Sequence, residues 1–363
     1  MLLTLCTFLL GLTLSHPQTI PDDNIMTSKS PYRNLAPNNA DFAFDLFKHL
    51  VSLNPNKDVL ISPISISMTL AMLSLGAKSQ TRIRMLKGLG FDLSEISEVE
   101  IHQNFEHLYL FFTRLNNSLE MIMGSTLFYD QSLNLMELFS EEAKQYYGLE
   151  HLAVDFQSWE KTKGQINMHI KDKTQGEISD LFLELPNQTT LILINYIFFT
   201  GTWEQAFDPA NTMEKDFYVD AETVVKVPMM FQSSIIKHFN DTELGCMVVQ
   251  LDYVGNCAVF LILPDTGKMN TVIQALSRDT IHRWSTSMSS RQLDLYMPKL
   301  SLSGTYDLMD IMKAMNITDV KINQMELPNI FIRAKRFYSK VTISSFLYAL
   351  LLQILTDSDR LPH

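Results

Sequence analysis

The run Leu191-Ile192-Leu193-Ile194-Asn195-Tyr196-Ile197-Phe198-Phe199-Thr200 constrains this chain more than any other stretch. It is almost continuously apolar and rich in aromatic and β-branched residues. Such a run reads as a strand buried on both faces of a large sheet, so other elements must cover it on both sides. Shorter strand-like runs follow at 213–219, 223–229, 246–253, 257–263 and 292–297, with a turn at Pro264-Asp265-Thr266-Gly267.

Helical patterns dominate before this block. Phe42, Leu46 and Leu50 recur at i, i+4 and i+8, which starts an amphipathic helix over 39–52. The next helix has Ser62 as N-cap, Pro63 at the first helical position and Gly76 at its end. More helical sequence fills about 80–170, interrupted by a strand at 120–129, and returns at 269–286, where Ser277 caps the second part. Helices first and a strand-rich block later make an α+β chain. No repeat or long linker divides it, so a single domain is expected.

Hydrophobic residues make up 46% and charged residues 19% of the 363 positions, a globular composition. With 40 acidic and 29 basic residues, the net charge of −11 leaves no electrostatic footprint for nucleic acid or an anionic membrane. Residues 2–14 are an apolar run too short to span a bilayer, which needs ~20 residues, but suited to a secretory signal. Thr13 and Ser15 fit cleavage after Ser15, leaving residues 16–34 as a polar leader rich in Pro and Asn. Asn-x-Ser/Thr acceptors at Asn116, Asn187, Asn240 and Asn316 agree with secretion. Cleavage removes Cys6. Cys246 and Cys257 then lie far apart on one hairpin, beyond disulfide reach, and are expected to be free, buried thiols.

Local catalytic signatures are missing. The sequence has no Gly-x-x-x-x-Gly-Lys-Ser/Thr loop, no Gly-x-Ser-x-Gly elbow, no His-Glu-x-x-His helix and no Cys-x-x-Cys pair. Nine histidines are scattered singly, a pattern of structural and surface residues rather than metal ligands. An enzyme is therefore not expected, and neither a cofactor nor a metal is implied.

Longer motifs identify a family. Asn195-Tyr196-Ile197-Phe198-Phe199-Thr200-Gly201-Thr202-Trp203-Glu204, then Phe207-Asp208, Phe217 and Val227-Pro228-Met229-Met230, resembles the signature block of the serpins. Ser62-Pro63-Ile64-Ser65-Ile66-Ser67, Leu73-Ser74-Leu75-Gly76-Ala77, Lys173-Thr174-Gln175-Gly176-Glu177-Ile178 and Leu261-Ile262-Leu263-Pro264-Asp265 match in the same order. The resemblance covers residues 35–341. It implies a serpin fold of nine helices around three β-sheets, in a secreted monomer. Within the antitrypsin-like group the chain is most similar to the steroid-carrying branch, through Asp252-Tyr253-Val254-Gly255-Asn256, Lys268-Met269-Asn270-Thr271-Val272-Ile273 and Ala275-Leu276-Ser277-Arg278-Asp279-Thr280-Ile281.

That resemblance implies a carrier of corticosteroids of the cortisol or corticosterone type. Its alternative is an inhibitor of serine proteases. In the carriers a Gln on a strand of the second sheet bonds the steroid, and Gln250 resembles it. An Arg and an Asn from one helix also line the pocket. Arg278 matches the Arg, whereas His282 stands where the family has Asn. Gln250 and His282 can each donate and accept, and apolar ring burial would supply most of the affinity. Taken alone, Gln250 better fits a residue packed at a strand end, and Arg278 with His282 a solvated helix face.

After Val341 the family pattern stops. Residues 342–363 look like an unrelated tail in place of the family's hinge, reactive loop and last strands. Inhibition needs that loop, and the carriers' steroid-stacking Trp lies in the same lost segment; Trp159, Trp203 and Trp284 match other positions. The carrier is thus expected to be impaired. The apolar stretch 346–354 is expected to stay exposed beside open strand edges and to promote aggregation.

Overall fold

A computed structural model describes residues 35–332, except 56, 114–118, 179–188, 220–221, 255–256, 300 and 318–327, together with the backbone of 343–352. The expected signal segment 1–15, the leader 16–34 and the acceptors Asn116 and Asn187 lie outside the described residues. In chain order the helices are α1 (Leu35–Leu53), α2 (Pro63–Gly76), α3 (Ser79–Gly88), α4 (Glu98–Thr113), α5 (Glu137–Tyr147), α6 (Trp159–Lys173), α7 (Met269–Ala275), α8 (Arg278–Ser287) and α9 (Leu308–Ala314). The strands are β1 (Leu119–Asp130), β2 (Glu150–Val154), β3 (Leu191–Gly201), β4 (Met213–Tyr218), β5 (Val224–Asp241), β6 (Cys246–Tyr253), β7 (Cys257–Pro264), β8 (Ser289–Pro298), β9 (Ser301–Asp307) and β10 (Ile343–Leu352).

The apolar run is the middle of the first sheet, whose order is β2-β1-β3-β10-β9. Residues 191–199 are all buried. On one face Leu191 and Leu193 join the core that contains α1 and α2, including Phe42, Leu46 and Leu50. On the other, Ile192, Ile194 and Tyr196 pack on Ile166 and Ile170 of α6. Asn195 is the polar exception, and it is satisfied: its Nδ2 donates to Ser125 Oγ at 2.8 Å, and Ser65 of α2 donates to its Oδ1.

The local signals of α2 hold. Ser62 Oγ accepts the Ser65 N–H, and Pro63 opens the helix. Gly76 ends it for a packing reason: a Cβ there would lie 2.3 Å from the Ile330 side chain. On α4, buried His102 shares a hydrogen bond of 2.5 Å with the Tyr147 hydroxyl of α5. Burial, helped by Arg82, holds its pKa down at about 4, so it packs as a neutral core histidine.

Several expectations need correction. The strand at 223–229 is the first part of β5, which continues to Asp241. β2, β9 and α9 are additional elements that the sequence reading does not contain. β5 pairs β4 over Val224–Met229, β8 over Met229–His238 and β6 over Lys237–Asp241. It therefore joins two of the three implied sheets into one hydrogen-bonded unit among the described residues. Cys246 and Cys257 are free and sit at opposite ends of the β6–β7 hairpin, but Cys257 is only half-buried, because it lies beside the turn.

The tail differs most from expectation. The backbone of Ile343–Leu352 does not lie beside open edges. It forms β10, parallel to β3 from Ile343↔Leu191 to Leu351↔Phe199, and antiparallel to β9 from Phe346↔Asp307 to Leu352↔Ser301. The reason is backbone satisfaction. One edge of β3 pairs with β1, and the other presents N–H and C=O groups within a buried strand, where only another strand can bond them. Truncation after Val341 should therefore cost the protein its cooperative melt and its monomeric elution, measured by circular dichroism and size exclusion. Equal melts and elution for the two forms would show that β10 adds nothing.

Candidate ligand-binding site

Gln250 sits in the middle of β6, half-buried, opposite Lys237 of β5 and Phe260 of β7. Antiparallel partners share a face of the sheet. Two residues earlier on that face, Val248 pairs with Phe239 and Ile262, and it belongs to the core that includes Val272, Ile273, Leu276 and Trp284 of the α7–α8 region. Gln250 thus continues the sheet surface that α7 and α8 cover.

Strand alternation places Asp252 on the same face, and it takes hold of Gln250. The Gln250 amide Nε2 donates to Asp252 Oδ1 at 2.5 Å, and Lys237 Nζ donates to Asp252 Oδ2 at 2.9 Å. Among the described residues nothing donates to Gln250 Oε1. The trio borders a cleft of about 170 Å³ with Trp203, Glu204 and Ser290. Sheet topology opens it: β4 leaves β5 at Met229, β6 joins only at Lys237, and Trp203-Glu204 lies along the end of β6 instead. The Glu204 N–H donates to the Asp252 carbonyl at 2.9 Å, and Trp203 stacks on Tyr253 with centroids 4.1 Å apart. Trp203 Nε1 is buried and has no acceptor among the described residues.

Arg278 and His282 occupy the first turns of α8, which Ser277 caps by accepting the Thr280 N–H at 3.1 Å. Their spacing puts both on one helix face, as the sequence reading expects, and both are exposed. Arg278 Nη2 lies 3.8 Å from Asp41 Oδ2 of α1, and an exposed tie of this kind contributes ~0–1 kcal/mol. Neither side chain borders the cleft that Gln250 borders.

What fixes α8 against the sheet is a residue that sequence reasoning does not single out. Asp241 ends β5, and its side chain is 1% exposed. Its Oδ2 accepts from Arg283 Nη2 at 2.6 Å and from Trp284 Nε1 at 2.7 Å. Its Oδ1 accepts from the Glu243 and Leu244 N–H groups, each at 3.1 Å. Burial pushes its pKa up, but the bonds from Trp284, Arg283 and Leu244 outweigh that and leave it below the usual carboxylate range. Lys237 and Asp252 were also unassigned. The signal for Asp252 was present, since i and i+2 share a strand face. Asp241 gives no local signal, because its partners lie 42 and 43 residues further on.

Asp241→Ala should lower stability by about 2–3 kcal/mol by orphaning the buried Trp284 donor and freeing Arg283. The lowered pKa also fixes the pH dependence. The unfolded carboxyl, near ~4, binds protons first, so this contribution is whole above that pH and is lost as pH falls through the lower folded value. Denaturant melts across this range should show a shallower acid slope in the variant. Equal slopes would contradict the clamp.

The sequence profile described as Serpin (serine protease inhibitor) matches residues 37–350, a span that runs past Val341 into β10. The chain is 53% identical over 343 residues to the human protein named Corticosteroid-binding globulin, covering 93% of this chain and 85% of that protein. The sheep protein of the same name is 54% identical over 344 residues, with 94% and 80% covered. Among solved structures, human thyroxine-binding globulin complexed with its hormone superposes with a TM-score of 0.81 at 32% identity, covering 88% of this chain and 86% of the other. Human glycosylated kallistatin superposes at 0.82 and 36%, with 89% and 87% covered. Together with the three-stranded contact of β3 with β1 and β10 and the two-sided burial of that strand, these matches show that the chain belongs to the serpin family.

Proposed function

We propose that this chain is a secreted, non-enzymatic carrier that binds corticosteroids and transports them in extracellular fluid. The observation that carries this reading is identity above half, across nearly the whole chain, with proteins named Corticosteroid-binding globulin. Gln250 supports it physically as a half-buried amide with a free acceptor oxygen, next to the buried apolar surface that begins at Val248 on the same sheet face. A steroid is mostly apolar, and burial at about 25 cal/mol per Å² supplies the bulk of its affinity. A few polar groups then orient it.

The cleft of about 170 Å³ is smaller than the ~300 Å³ at which whole-ligand pockets begin, so it receives one polar end of the steroid. The remaining rings lie against the covered sheet face, toward α8 and α1. Arg278 and His282 act there as rim groups, with Asp41 beside Arg278. Residues 1–15 direct export in this reading. Asn240 and Asn316 are exposed, as glycan acceptors must be.

Gln250→Ala should weaken corticosteroid binding by about 1–3 kcal/mol, the cost of leaving a buried ligand group unpaired. Titration followed by intrinsic tryptophan fluorescence reads the change, with matched melts confirming that both proteins are folded. Unchanged affinity would remove Gln250 from the site. A wild-type protein that binds no corticosteroid but forms an SDS-stable adduct with trypsin or elastase would instead favour protease inhibition, the activity in the family's description.

A further inference from the structure

We propose that Asp252 is a specificity-setting residue: it fixes Gln250 as a hydrogen-bond acceptor, so that the site selects a ligand hydroxyl over a ketone at the atom Gln250 meets. This rests on the reading above that Gln250 touches the steroid.

Hydrogen-bond polarity decides which ligand group Gln250 can meet. A glutamine amide can present either its NH₂ or its carbonyl oxygen to a ligand, and a free side chain can turn to suit either. Here it is not free. Asp252 lies two residues along the same strand face, and Lys237 donates to its Oδ2. A carboxylate paired with an ammonium group offers acceptors only. Gln250 must therefore turn its Nε2 toward Asp252 Oδ1, which it does at 2.5 Å. Its carbonyl oxygen is left as the outward group. No described residue donates to that oxygen, so a ligand group is its natural partner.

A hydroxyl can donate to such an oxygen, whereas a ketone facing it sets two acceptors against each other. Mispairing a buried polar group costs about 1–3 kcal/mol, so wild-type protein should prefer the hydroxyl member of the relevant pair by about 5–150-fold. The preference belongs to geometry that Asp252 imposes, since a longer or shorter contact elsewhere on the steroid would not distinguish donor from acceptor at this atom.

The test uses the full chain and matched corticosteroid pairs. Each pair differs only by a hydroxyl or a ketone at one position, and each oxygenated position is represented. Equilibrium dialysis gives the affinity ratio for every pair in wild type, Asp252→Asn, Gln250→Ala and Lys237→Met. One pair should show a strong hydroxyl preference in wild type. Asp252→Asn should collapse that same ratio toward unity, chiefly by gaining ketone affinity, because an Asn amide can donate or accept and lets Gln250 turn. Gln250→Ala should collapse it as well. Lys237→Met should keep it, because the carboxylate still holds Nε2. A structural loss would weaken both members of a pair together and leave their ratio alone.

A wild-type protein that binds steroids with no hydroxyl preference at any position overturns the proposal without any variant. A preference that survives in Asp252→Asn, or one that Lys237→Met abolishes equally, also overturns it while leaving carriage intact. Failure of the wild type to bind any corticosteroid overturns both this proposal and the function on which it rests.

Discussion

The structure depends on keeping β3 dry and paired. Its residues 191–199 are buried, so both faces need side-chain cover and both edges need backbone partners. α2 and α6 meet the first requirement, on opposite sides. β1 and β10 meet the second. A central strand with one edge unpaired would strand several peptide groups away from water, each at a cost comparable to a lost hydrogen bond. That constraint explains why the apolar segment 343–352 enters the sheet. It also places the end of β3, and hence Trp203, against the end of β6.

Two carboxylates, Asp241 buried and Asp252 half-buried, then organise the ligand face. Asp241 gathers Arg283, Trp284 and two backbone N–H groups, and so holds α8 at the end of β5. Asp252 performs a smaller version of the same task by aligning Gln250 between itself and the open cleft. Neither carboxylate is isolated, so neither carries the penalty of an unpaired buried charge. Their partners differ in exposure. Arg283 and Lys237 keep part of their length in solvent, whereas Trp284 is fully enclosed. The orientation of α8, and with it the position of Arg278 and His282, is therefore tied to the sheet through side chains that are not themselves ligand groups.

Much of this was legible in the residues, and the gaps have physical causes. Capping chemistry is local, so Ser62, Pro63 and Ser277 could be read directly. Continuous apolarity revealed β3, and a turn between two apolar runs revealed the β6–β7 hairpin. Local text failed where partners are distant. Residues 230–241 carry Ser233, Ser234, Lys237 and His238 and do not alternate cleanly, because β5 changes neighbours along its length and its two faces meet different surroundings. β10 has an obvious apolar character, but its fate is decided by vacant hydrogen-bonding positions on β3 and β9, more than 30 residues away for the nearer of them. The candidate site was legible in part. Gln250 came from resemblance, and Asp252 was within reach of a simple face argument. Asp241 was not, since its meaning comes from a helix that follows two strands later.

Hydrogen exchange with and without a saturating corticosteroid tests the central claim, that the β6 surface under α8 is the ligand site. Exchange reports local opening, and a ligand that bridges two elements protects both. The account predicts slowed exchange in Met247–Asp252 together with Arg278–Trp284. Bound steroid with no protection in either segment, or protection confined to other parts of the chain, would contradict it.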